Sequence, residues 1–90
     1  MISVSIPTPL RKLTKDASTV YVEGSTIRDI LYNLEFGYPG IKERLLTPTN
    51  SLRTFINIYV NDEDIRFLDE LDTPVKDTDV ITILPAIAGG

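Results

Sequence analysis

The sequence predicts an α+β domain in which a mixed sheet of four to five strands carries one main helix on one face. Three observations predict it. Apolar and polar residues alternate in four runs, at Ile2/Val4/Ile6, Val20/Val22, Ile56/Ile58/Val60 and Ile81/Ile83, which is the period of half-buried strands. Between the second and third runs, Ile27, Ile30, Leu31 and Leu34 fall at i, i+3, i+4 and i+7, one apolar stripe on one helix. The chain has 90 residues and no Cys, so a single core must hold it together by packing. Such a stripe has to be buried against the sheet, and one helix crossing from the second strand to a later one makes a mixed sheet the economical packing.

Taken in order, Met1–Ile6 is the first strand, ended by Pro7 and Pro9. Leu10–Ala17 is a polar connection longer than a tight hairpin needs, and its three basic residues are expected to be solvated. Thr19–Glu23 returns as an antiparallel second strand. Thr26, with Asp29 three residues on, offers short acceptors to the first free N–H groups of a helix that runs to about Phe36, with Gly37 placed to end it. After a Tyr38-Pro39-Gly40 turn, Ile41, Leu45 and Leu46 suggest one or two more helical turns, closed by Pro48.

Arg53–Val60 is the strongest strand, with Ile56, Ile58 and Val60 toward the helix and Phe55, Asn57 and Tyr59 away from it. The two outer aromatics either cover neighbouring strands or form an apolar patch for a partner. A turn at Asn61–Asp64, a short Ile65–Phe67 strand and an acidic loop with Asp69, Glu70 and Asp72 follow. That loop lacks the glycine and terminal glutamate of a twelve-residue calcium loop, so it is expected to be a solvated turn with no metal. Beyond the Lys76–Asp79 turn lies the last strand, expected to stop near Leu84 because Pro85 has no N–H for a ladder. Leu84 then shares the outer face with Phe55 and Tyr59.

The domain is thus expected over 1–84, with 85–90 an extended, flexible tail ending in Gly89-Gly90. Six residues at ~3.3 Å each reach on the order of 20 Å, enough to enter a cleft on another protein. Two glycines at the tip let a backbone pass a narrow channel, and a carboxylate there is anionic at neutral pH and able to attack phosphorus. Without Cys or His the chain has no thiolate, imidazole base or soft metal ligand, so catalysis of its own is not expected. Nine basic residues against 13 acidic ones, with no basic block, argue against nucleic acid and favour a basic protein groove as partner. No apolar run approaches the ~18 residues of a membrane span, and a cytoplasmic location is the default expectation.

The order of elements, the Tyr38–Leu45 segment, the Val60-Asn61-Asp62 strand end and the terminal Ala88-Gly89-Gly90 together resemble the MoaD/ThiS family of ubiquitin-like sulfur carriers, over essentially the whole chain. The resemblance implies a β-grasp fold and a carrier, not an enzyme. It implies that a ubiquitin-activating-type adenylyltransferase/sulfurtransferase uses ATP and magnesium to turn the Gly90 carboxylate into an acyl-adenylate, which sulfur then converts to a thiocarboxylate. Carried over by position, Gly90 bears the sulfur, Gly89 threads the channel, Ala88 and Ile87 are tail contacts, and Phe55, Tyr59 and Leu84 face the partner. Phe55–Phe67 and Leu84–Gly90 most resemble the branch whose acceptor is a PLP-dependent cysteine synthase, with a metalloprotease releasing cysteine. Delivery to molybdopterin, thiamine or tRNA, or conjugation through Gly90 as a modifier, are the alternatives.

Overall fold

The computed structural model describes residues 1–85. The elements are β1 (Ile2–Ser5), β2 (Thr19–Val22), α1 (Ile27–Gly37), α2 (Ile41–Leu45), β3 (Ile56–Val60), β4 (Glu63–Asp64) and β5 (Val80–Pro85), with short 3-10 turns between some of them. The sheet order is β2-β1-β5-β3-β4. Among the described residues only β1 and β5 run parallel, so the sheet is mixed, and its five strands fall within the four to five expected. This is the β-grasp arrangement, in which the last strand lies at the centre.

Ile2, Val4, Ile58, Ile81 and Ile83 from the sheet and Ile27, Ile30, Leu31 and Leu34 from α1 are all fully buried in one cluster. Burial of each such side chain contributes roughly 1.5–3 kcal/mol before entropy is charged, which fixes α1 on this face. Thr26 caps α1 by accepting from the Asp29 N–H at 3.2 Å, while the Asp29 carboxylate accepts from the Ser25 N–H at 3.1 Å. Gly37 closes α1 where expected, though not as a left-handed cap. Gly37 is the last helical residue and Tyr38 the cap, while the positive φ, +100°, falls at Gly40 just before α2. There the Glu35 carboxylate accepts from the N–H groups of Gly40 (3.0 Å) and Lys42 (2.9 Å), satisfying free donors at the start of α2.

Three further boundaries depart from the sequence pattern. Arg53–Phe55 is not part of β3, because the Arg53 N–H is taken by the Leu45 carbonyl and a turn closes from the Ile56 N–H to the Arg53 carbonyl. Ile65–Phe67 is a 3-10 turn, bent by the Asp64 carboxylate accepting from the Arg66 N–H at 2.8 Å, and pairing is confined to Glu63–Asp64. Leu10–Ala17 is no plain polar connection. A 3-10 segment spans Thr8–Thr14, burying Leu10 and Thr14, and Arg11 donates through Nε to the Ile6 carbonyl at 3.0 Å.

β5 continues one residue past the expected stop, through Pro85, which lies opposite Ile56. The register explains why the ring is tolerated. Asn61 donates to the Val80 carbonyl, so hydrogen-bonded pairs alternate from Asn61/Val80 through Tyr59/Thr82 to Asn57/Leu84. Ile56/Pro85 is then a non-hydrogen-bonded pair, and β1 on the other side is paired only as far as Thr82, so nothing calls for an N–H at Pro85.

Candidate functional site

β5 leads to the expected carrier terminus. Gly90, Gly89, Ala88 and Ile87 lie outside the described residues, so the site in view is the surface from which they depart.

On the outer face of the sheet, Leu84 stands opposite Asn57 and Thr82 opposite Tyr59, side chains that the register puts on one side. Leu84 is 46% exposed, a large aliphatic side chain left uncovered at the centre of the sheet. Tyr59 is half-buried beside β4, where Asp64 is its partner, and so lies on the predicted face but is partly covered by the sheet edge. Phe55 is 52% exposed. It sits in the turn before β3 and so is not held in the alternation that positions Asn57 and Tyr59.

Phe55 instead belongs to a groove of about 300 Å³ at the end of β5. Pro7, Pro9 and Leu10 form one wall, Phe55 and Ile56 another, and Pro85 the edge from which the chain leaves. Glu43, Arg44 and Arg53 supply the polar rim. The walls follow from local chemistry. Two prolines one residue apart fix φ after β1, and the 3-10 turn they start holds Leu10 in place. The sequence pattern marked these prolines only as a strand stop, although their pairing around Thr8 was the available signal for a rigid wall.

A second feature missed in the sequence is Arg66. Its guanidinium donates to the Asn57 Oδ1 at 2.6 Å and to the carbonyls of Ile56 and Arg53 at 2.7 and 3.1 Å. β4 pairs only with Tyr59 and Val60, so the start of β3 is an open edge, and Arg66 satisfies carbonyls there that no strand reaches. It thereby fixes the turn that presents Phe55.

The acidic turns serve the opposite end of the sheet. The Asp79 carboxylate accepts from the Lys76 N–H at 2.8 Å and from Asn61 Nδ2 at 3.1 Å, and Asn61 Oδ1 accepts from the Val80 N–H. The Lys76 N–H and then the Asn61 amide hold the Asp79 carboxyl below its usual range. Likewise the Gly40 and Lys42 N–H groups hold Glu35 low. Asp72 pairs with Arg28 at 3.2 Å. Among the described residues no group of three or more ligating side chains is placed to hold a metal ion, and no helix is long and apolar enough to cross a membrane.

A model of the ThiS family matches residues 4–90. The sulfur carrier protein CysO of Mycobacterium tuberculosis is 48% identical over 91 residues, covering 99% of this chain and 98% of that protein. In the crystal structure of the Amycolatopsis orientalis BexX/CysO complex, a chain 48% identical superposes with a TM-score of 0.94, with full coverage of both. The small archaeal modifier protein 1 of Methanosarcina acetivorans is 30% identical, with a TM-score of 0.85 over 99% of this chain and 95% of that one.

Proposed function

The chain belongs to the ThiS family and is a sulfur carrier, and we propose that it bears sulfur as a thiocarboxylate on Gly90 and delivers it to the formation of cysteine. The observation that carries this is the 48% identity to a sulfur carrier along 99% of the chain, together with a family match that runs through residue 90. The exposed apolar surface at Leu84 and Phe55, where β5 ends, supports a partner that grips the domain while working on its terminus.

A free carboxylate resists nucleophilic attack, so loading begins when one Gly90 oxygen attacks the α-phosphorus of ATP, held with magnesium by an adenylating enzyme, and pyrophosphate leaves. A sulfur nucleophile then adds to the acyl carbon and AMP departs, leaving sulfur in place of one oxygen. Gly89 contributes by having no Cβ, so the backbone fits a narrow channel. Ala88 and Ile87 make the tail contacts. The acceptor is a PLP-dependent cysteine synthase, whose cofactor would supply the electrophilic three-carbon acceptor for the Gly90 sulfur, and a metalloprotease afterwards hydrolyses the bond joining cysteine to Gly90. All of this is placed in the cytoplasm.

Intact mass tests the assignment. After incubation with a cognate adenylating enzyme, ATP and a sulfur source, the protein gains the mass of one oxygen-to-sulfur exchange, localised to Gly90. A chain unchanged by an enzyme that loads a control carrier overturns it. The similarity to an archaeal modifier protein supports a second reading, attachment through Gly90 to lysine amines. Isopeptide-linked conjugates in the same reaction would favour it.

A further inference from the structure

Building on the carrier assignment, we propose that the groove at the end of β5 docks the protein that loads Gly90, and that it takes from that protein an apolar side chain flanked by carboxylates. Continuity places the occupant. Pro85 is both the last described residue of β5 and part of the groove wall, so a protein that takes hold of the chain beyond it has this surface within reach. The walls are apolar through Pro7, Pro9, Leu10, Phe55 and Ile56, and the opening of about 300 Å³ accommodates one large aliphatic or aromatic side chain.

Charge gives the flanking groups. The chain as a whole is acidic, at −4, yet guanidinium groups gather here. Arg44 and Arg53 line the groove. Arg66 is bonded to the carbonyls of Arg53 and Ile56, and Arg11 to the carbonyl of Ile6, next to Pro7. Among the described lining residues Arg44 and Arg53 face one carboxylate, Glu43, and the Asp64 carboxylate lies nearby, accepting from the Arg66 N–H. Among the described residues the ion pairs are Met1–Asp77 and Arg28–Asp72, so the four guanidiniums have hydrogen bonds to neutral oxygens at most and keep their charge for a partner.

The test follows loading by an adenylating enzyme that charges the wild-type chain, as pyrophosphate release against carrier concentration. Arg44→Glu combined with Arg53→Glu is expected to raise KM about tenfold or more with kcat unchanged, and Arg44→Lys with Arg53→Lys, which keeps the charge, to raise it by much less. Wild-type KM rises with salt, and that of the reversed variant does not. Arg44→Glu alone, on an exposed residue, gives part of the same effect without touching the core. Wild-type KM in both reversed variants overturns the groove proposal while leaving the carrier assignment intact. So does a rise accompanied by a matching fall in unfolding midpoint, or dimerisation of wild type that the reversal abolishes. A wild-type chain that is never loaded overturns the carrier assignment and the groove proposal with it.

Discussion

At the end of the sheet where β1 and β5 begin, charged groups are spent inside the domain: Asp79 is bonded to the Lys76 N–H and to Asn61, Asp72 to Arg28, and the N-terminal ammonium lies 3.9 Å from Asp77. At the other end, where β5 finishes, Arg44 and Arg53 line an apolar groove beside an exposed Phe55, with no carboxylate closing on them among the described residues. The first end uses its polar groups to close turns. The second leaves polar and apolar groups open, a state that costs solubility and stability and that a binding surface explains. Substitutions at the two ends should therefore separate, with transfer affected at one and folding at the other.

The largest separation is expected at Gly89. Replacing it with Leu puts a Cβ and a branched chain where a channel must admit bare backbone, and loading should fall by roughly 100-fold or more. The unfolding midpoint should match wild type, since a terminal residue adds little to the core. Loading at the wild-type rate would remove the channel from the mechanism. The converse case is Leu34→Ala under the sheet, expected to cost about 2–5 kcal/mol in denaturant unfolding while the fraction still folded loads normally.

Gly24 gives a sharper test of the turn-closing end. A Cβ there would come 2.9 Å from Ile30 Cδ1 and 3.1 Å from the Ile30 backbone nitrogen, at the first turn of α1. The backbone atom cannot swing away, so Gly24→Ala is expected to cost about 1–3 kcal/mol by overpacking, read as a shift in unfolding midpoint with KM for loading unchanged.

Phe55→Ala and Leu84→Ala should do the reverse. Each side chain is about half exposed, so stability should change by less than about 1 kcal/mol, while partner affinity falls by about 1–2 kcal/mol in calorimetric titration. If either variant unfolds the domain, these residues are core and the two-ended picture fails.

The contrast also governs what could be read from the sequence. The buried half was legible because burial imposes a period: Ile27, Ile30, Leu31 and Leu34 could only be one stripe, and Ile56, Ile58 and Val60 only one face. Leu84 and Tyr59 followed from the same alternation. Phe55 did not, because a turn held by Arg53 and Arg66 displaces it from the strand pattern, and such a turn depends on Arg66 reaching back thirteen residues to a carbonyl. The groove was equally hidden. Its walls come from residues 7–10, 43–44, 53–56 and 85, which no local period connects. Pro85 was misjudged by one position because a missing N–H matters only in a hydrogen-bonded pair, and the pairing phase is a property of two strands together.

The smallest expected effect is electrostatic, and its sign discriminates between groups that close turns and groups that merely sit on the surface. Asp79 and Glu35 both have folded-state pKa values lowered from their ordinary 3.8 and 4.5, chiefly by backbone N–H donors. For a depressed carboxyl the stabilisation is fully present above the unfolded value and disappears as pH falls through the folded one. The wild-type domain should therefore lose stability as pH drops below about 4.5, with part of that loss missing in the Glu35→Gln, Asp79→Asn double variant. The difference in unfolding free energy between the two proteins should be largest near neutrality and shrink toward pH 3. A constant difference from pH 7 to pH 3 would mean that these two carboxylates stabilise their turns by shape alone.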